Sequence, residues 1–182
     1  MDRGEELKRR LITKLGSCQA DAMARLRPRP PIYEEETMAN TLYTAKAHVT
    51  GGRLEGHGRT SDGALEVDLR IPSEMGGPGG GTNPEELFAV GYAACFEGAI
   101  AVVGRRLKAD TGDVAIDSAV SLLPDGKGGF RLEVGLDVTL PSVSDAATAT
   151  EIVKTAHKVC PYSNATRGNI DVALTANGEP VD

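Results

Sequence analysis

The stretch from Asn83 to Lys108 constrains the fold more than any other part of the sequence. Asn83 suits an N-cap, Pro84 suits the first helical position, and Glu86 stands at N3, where its carboxylate completes a capping-box-like start. From Leu87 to Val103 apolar residues run round nearly the whole helix. Arg105, Arg106 and Lys108 then close it against the negative end of its dipole. A helix that is apolar on all sides belongs inside a protein. This segment is therefore expected to be buried at the centre, with the other elements arranged around it.

The flanking segments read as strands. Tyr43, Ala45, Ala47 and Val49 alternate with polar residues, as do Leu65, Val67, Leu69 and Ile71. The glycines of Gly51-Gly52-Arg53 and Gly56–Gly58 between them read as turns. Val114–Leu123 and Phe130–Leu140 flank Pro124–Gly129 and predict a hairpin with a longer loop. A second helix is expected from Ser144 or Asp145 to Val159, ending where Pro161 follows, with a last strand over Ile170, Val172 and Leu174. Strands, buried helix, strands, helix, strand is the order of an α+β fold with a mainly antiparallel sheet.

Residues 1–37 differ from the rest. Lys8-Arg9-Arg10, the Pro28–Pro31 stretch and Glu34-Glu35-Glu36 read as a basic arm and a linker, and Leu7, Leu11 and Leu15 share one helix face. The segment reads as a flexible N-terminal extension, or as residues upstream of a natural start at Met38, so the folded domain is expected to span 38–182. No apolar run approaches the roughly 20 residues that cross a bilayer, and the charged N-terminus lacks a secretory signal. A cytoplasmic protein without a membrane partner is expected. Net charge of -6, 4% aromatics and no Trp argue against a nucleic-acid partner. Gly76–Gly81 lacks the Lys-Ser/Thr of a phosphate-cradling loop.

Two of the three cysteines, Cys95 and Cys160, fall inside the expected domain, whereas Cys18 falls in the extension. Each by itself reads as a buried core cysteine; as a pair in a reducing compartment they also suit redox chemistry. Cys160 stands at a helix C-terminus, where the dipole opposes a thiolate. Cys95 is too far from its helix N-terminus for much help from the dipole and would need a nearby cation. Arg53, in a glycine-rich turn, is a candidate for that cation, and otherwise an ordinary solvated residue. His157-x-x-Cys160 with Cys95 falls short of the four ligands of a structural zinc site. His48 and His57 read as surface residues, and Asp62, Glu66 and Asp68 as a solvated face.

The run Thr82-Asn83-Pro84-Glu85-Glu86-Leu87-Phe88-Ala89-Val90-Gly91-Tyr92-Ala93-Ala94-Cys95-Phe96 resembles the first cysteine motif of the organic hydroperoxide resistance branch of the OsmC superfamily. Val159-Cys160-Pro161-Tyr162-Ser163-Asn164-Ala165-Thr166-Arg167-Gly168-Asn169 is similar to its second motif. Leu42–Ala45 and Thr50–Arg53 resemble its opening. The resemblance spans about Met38 to Leu174. It implies an intertwined homodimer, with sheets wrapped around central helices and active sites at the subunit interface. It further implies a cysteine-based organic hydroperoxide reductase, antioxidant in role, with no metal and no bound cofactor. Cys95 would attack the peroxide and become a sulfenic acid, and Cys160 would condense with it to a disulfide. Arg53 and Glu85 would orient the thiolate, and a dithiol such as dihydrolipoamide on a lipoylated protein would restore the enzyme.

Glu85 lies ten residues before Cys95, about 15 Å along an unbroken helix. If it reaches a Cys95, the expected route is from the partner subunit. Glu97 departs from the motif, where an apolar or histidine-like residue is expected, and two residues from Cys95 it points to a different helix face. The osmotically induced branch of the same superfamily, and a non-catalytic dimeric module binding an apolar ligand, are the alternative readings. Cys160-Pro161-Tyr162-Ser163-Asn164 favours the hydroperoxide branch over the first of these.

Overall fold

The Asn83 cap forms as the sequence predicts: its side chain accepts the N–H of Glu86 at 2.9 Å and opens helix α2, Pro84–Leu107. The Glu86 carboxylate instead takes the hydroxyl of Thr82 at 2.7 Å, so it anchors the incoming chain. Lys108 ends the helix in the left-handed conformation. These features come from a computed structural model that describes residues 40–182. The basic arm, the leucine face and Cys18 lie outside the described residues. Residues 40–44 fall with the unit ending at Thr44 and carry no regular structure; Ala45–Asp182 forms the second unit and holds every element named below.

Two sheets accompany α2. The first is antiparallel, β1 (Ala47–Thr50), β2 (Gly56–Thr60) and β3 (Glu66–Arg70), in that order. β1 is shorter than the alternation from Tyr43 predicts, because β2 ends at Thr60 and the ladder stops at the Ala47↔Thr60 pair. The glycine region is not all turn. Gly52–Glu55 makes one helical turn, α1, and Gly56 and Gly58 are already in β2. Glycine is required there by contact: a Cβ on Gly56 would sit 1.8 Å from the Gly52 carbonyl oxygen. Gly51 enters the turn at φ 71°, in the left-handed region that glycine occupies without strain.

The second sheet runs β4 (Ala115–Pro124), β5 (Phe130–Thr139), β6 (Asp171–Ala176) and β7 (Glu179–Pro180). β4 and β5 form the predicted hairpin, its loop fastened by Asp125 accepting the N–H groups of Lys127 and Gly129 at 2.7 and 2.8 Å. β6 pairs with β5 in parallel, after a crossover through α3 (Ala146–Val159) and α4 (Pro161–Thr166). The α+β class and the predominance of antiparallel pairing hold, with this one parallel pair.

The core lies between α2, α3 and the inner face of the second sheet. Phe96, Ile100, Val103, Leu136, Val138, Ile152 and Val153 are all closed to solvent or nearly so. Each such side chain contributes about 1.5–3 kcal/mol relative to leaving it exposed.

Burial of α2 is one-sided, contrary to the expectation of a helix enclosed all round. Tyr92, Phe96, Ala99, Ile100 and Val103 face the core, while Val90 is 71% exposed and Ala94 and Gly98 are open. A single chain has one layer to set against the helix, so the opposite apolar stripe stays uncovered. By length and composition α2 would also suffice to cross a membrane, contrary to the expectation that no apolar run approaches that length. Its buried face is occupied by the chain's own core.

Candidate active site

Cys95 lies near the middle of α2, one turn beyond Tyr92 and on the side that meets α3 and α4. Cys160 is the single residue between α3 and α4. Its N–H donates to Ala156 O at 2.9 Å, and its carbonyl accepts the N–H of Asn164 at 3.0 Å. Pro161, expected to stop the helix, also starts the next one at its first position, where a missing N–H costs nothing. Cys160 therefore joins the end of one helix to the start of another.

The two cysteines are free, and their sulfurs are 3.5 Å apart. A disulfide bond measures about 2.05 Å, so this is a reduced pair in contact that needs only a small approach to bond. Cys160 is completely buried and Cys95 partly exposed. Of the two sulfur-bearing side chains, only Cys95 is open to solvent.

Burial pushes the Cys95 thiol above its ordinary range, and the nearby Cys160 adds to the rise. The N–H of Tyr162, in the first turn of α4, is directed at the Cys95 sulfur and pulls the other way. Among the described residues of the same chain, no arginine is among the causes of this shift. Arg53 is engaged elsewhere: its Nη2 donates to Glu85 Oε1 at 2.8 Å, with side chains 37% and 15% exposed. Such a part-exposed pair adds about 0–1 kcal/mol of stability, so its effect is chiefly to aim the guanidinium. α2 is unbroken from Glu85 to Cys95, which separates the pair from the chain's own Cys95 by about 15 Å along the axis. The structure thus joins Cys95 to Cys160, and Arg53 to Glu85, at two separate places.

Three aromatic rings, Phe88, Tyr92 and Tyr162, pack together where α2 meets α4. Tyr162 stacks on Phe88 with centroids 6.0 Å apart and leans on Tyr92 at 5.8 Å. The buried Tyr92 hydroxyl donates to Ser163 Oγ at 3.0 Å and lies 3.2 Å from Thr166 Oγ1, tying α4 to α2. Sequence reasoning did not single out these five residues. Tyr92 at i−3 from Cys95, and Ser163 and Thr166 one turn apart after Pro161, were the available signals.

His157 rests its ring against Phe96 at 6.4 Å, and among the described residues no His/Cys/Asp/Glu cluster could hold a metal ion. His48 and His57 are exposed, as are Asp62, Glu66 and Asp68; His57 lies between Glu66 and Asp68 at 3.1 and 3.2 Å. Glu97 is exposed on α2, away from the buried face.

Comparison with known proteins places these motifs in context. The family model described as "OsmC-like protein" matches residues 77–175. An organic hydroperoxide resistance protein of Xanthomonas axonopodis pv. citri is 54% identical over 138 residues, covering 74% of this chain and 94% of the relative. A crystal structure of an organic hydroperoxide resistance protein from Legionella pneumophila is 50% identical with TM-score 0.70, covering 74% of this chain and 96% of that one. Another, a putative organic hydroperoxide resistance protein from Vibrio cholerae with captopril in one of its active sites, is 45% identical. Its TM-score is 0.73, covering 78% and 96%.

Proposed function

Since this chain belongs to the OsmC-like family, in its organic hydroperoxide resistance branch, we propose that it is a cysteine-based peroxidase that reduces organic hydroperoxides to alcohols. The observation that carries the reading is the 3.5 Å contact between a reachable sulfur, Cys95, and a fully buried one, Cys160. The relatives support a redox role in organic hydroperoxide resistance.

The Cys95 thiolate attacks the terminal oxygen of ROOH. The O–O bond breaks, ROH leaves once its oxygen is protonated, and Cys95 becomes a sulfenic acid. The Cys160 thiol then displaces water from that sulfenic acid, forming the Cys95–Cys160 disulfide. A dithiol such as dihydrolipoamide, borne by a lipoylated protein, reduces the disulfide by exchange. The Phe88–Tyr92–Tyr162 aromatic wall suits a bulky apolar R group. The catalytic domain is residues 38–182, working in the cytoplasm as a homodimer that covers the open stripe of α2 at Val90, Ala94 and Gly98. In that dimer Arg53 and Glu85 reach the partner's Cys95 as a preformed pair, supplying a positive charge that no described residue of its own chain brings to the thiol.

The test is intact mass after mixing reduced protein with one equivalent of cumene hydroperoxide. The reading requires a loss of two hydrogens, mapped to a Cys95–Cys160 bridge and absent from Cys95→Ser. No mass change would favour the non-catalytic apolar-ligand module instead.

Two further outcomes are expected. Cys160→Ser retains one oxidation per Cys95 but does not turn over, and mass spectrometry finds sulfinic acid on Cys95 as peroxide is added. It also costs about 1–3 kcal/mol of stability, because a hydroxyl replaces a thiol at a fully buried position. The second concerns pH. The raised Cys95 thiol is protonated at neutral pH when no cation faces it, and only the thiolate attacks. Single-turnover rates should therefore climb with pH. In Arg53→Ala the climb should continue to more alkaline pH than in the wild type, as stopped-flow mixing would show.

A further inference from the structure

We propose that a cavity of about 450 Å³ on the side of α3 facing β6 is a binding site for a medium-chain alkyl carboxylate, separate from the thiol pair. Its volume falls within the range of small-molecule sites, which combine an apolar lining with a few fixed polar groups.

Three cations line the cavity, against one acidic residue, Asp182. Lys154 and Lys158 are one turn apart on α3, both exposed, and neither has a hydrogen bond or ion pair with any described residue. Arg167 is held by two bonds, from Nη2 to His157 O at 2.7 Å and from Nη1 to Asn164 Oδ1 at 2.8 Å. Both acceptors are neutral, so the guanidinium is positioned while its charge stays uncompensated. Asp182 is the one acidic side chain in the lining, and it forms no ion pair with a described residue. Such a concentration of unpaired positive charge, in a chain of net charge -6, favours an anion from solution.

The rest of the lining selects the kind of anion. Val172, Leu174 and Val181 supply an apolar floor on the β6 side. His157 also contributes to the lining, with its ring set against Phe96. Cations at the rim with an aliphatic floor match a carboxylate head on an alkyl chain better than an inorganic anion. The site is distinct from the thiol pair: Phe96 is fully buried against the His157 ring, and neither cysteine lines the cavity.

The experiment is a ¹H–¹⁵N correlation titration of the full chain with sodium octanoate, with 1-octanol as the uncharged control. Expected are saturable shifts at the Lys158, Arg167, Val172 and Val181 amides, weakened about tenfold or more in Lys154→Gln/Lys158→Gln, and no matching shifts with octanol. Both lysines are exposed, so the double variant should fold, which its unshifted core amides would verify. Equal response to octanol, indifference to the double substitution, shifts confined to Cys95 and Tyr162, or no shifts at all would each overturn the proposal.

Discussion

Replacing Cys95 by serine is expected to cut hydroperoxide turnover by at least about 10³-fold, to the uncatalysed background, while leaving the fold standing. A serine hydroxyl is too weakly acidic to present an anion to the O–O bond, and an alcohol does not accept oxygen as a thiolate does. Nor can the second cysteine readily substitute: Cys160 has no exposed surface at which to meet peroxide. The structural cost is small because Cys95 is half-buried at the edge of the core, where a hydroxyl can meet water or the Tyr162 N–H. Peroxide consumption and thermal unfolding measured on one preparation would separate the two effects. Retained turnover would remove the mechanism. Lost turnover accompanied by gross unfolding would mean that Cys95 mainly fills space.

The parts of this structure that were legible in the sequence are those governed by local chemistry. Asn83-Pro84 starts a helix because an amide cap and a proline satisfy the same first turn, wherever that helix later packs. Alternation from Phe130 to Leu140 implies one buried face, and Val134, Leu136, Val138 and Leu140 are buried accordingly, although Phe130 at the hairpin end is exposed. Asp145, expected as a helix start, caps Thr148.

What escaped depended on distant partners. The single turn at Gly52–Glu55 exists because β2 returns against it, and glycine composition cannot separate a turn from a strand crowded by its own backbone. The short helix after Pro161 is held by Tyr92, some seventy residues earlier, through a Ser163 hydroxyl that looks like an ordinary loop residue. The apolar stripe of α2 is continuous in sequence, but burial depends on what covers it, and one chain supplies cover on one side only. Site chemistry divides in the same way. The motifs named both cysteines, while the pairing of Arg53 with Glu85, and the upward shift of Cys95, follow from positions that spacing does not encode.

Arg53→Ala should slow the first oxidation by about 10²-fold, the usual cost of removing one preorganised charged donor from an active site. Stability should change little, because the exposed part of the Arg53–Glu85 pair is screened by solvent. Glu85→Gln should slow the reaction less, since the guanidinium remains but loses its fixed aim. The more searching test uses mixed dimers. Arg53 is held at the start of α2, about 15 Å along the helix from the Cys95 of the same chain. If it serves that distant sulfur, Cys95→Ser and Arg53→Ala chains cannot complement each other. If it serves the partner's sulfur, a dimer holding one chain of each kind combines an intact Cys95 with an intact Arg53 at one of its two sites. Random co-refolding of equal amounts should then recover about one quarter of wild-type activity, since half the dimers are mixed and each has one working site. Recovery at that level, from two chains that are nearly inactive apart, would establish that each active site is built by both subunits. Failure to recover, with mixed dimers demonstrated by mass, would return Arg53 to a role within its own chain and require α2 to bend or the Arg53 turn to swing toward Cys95.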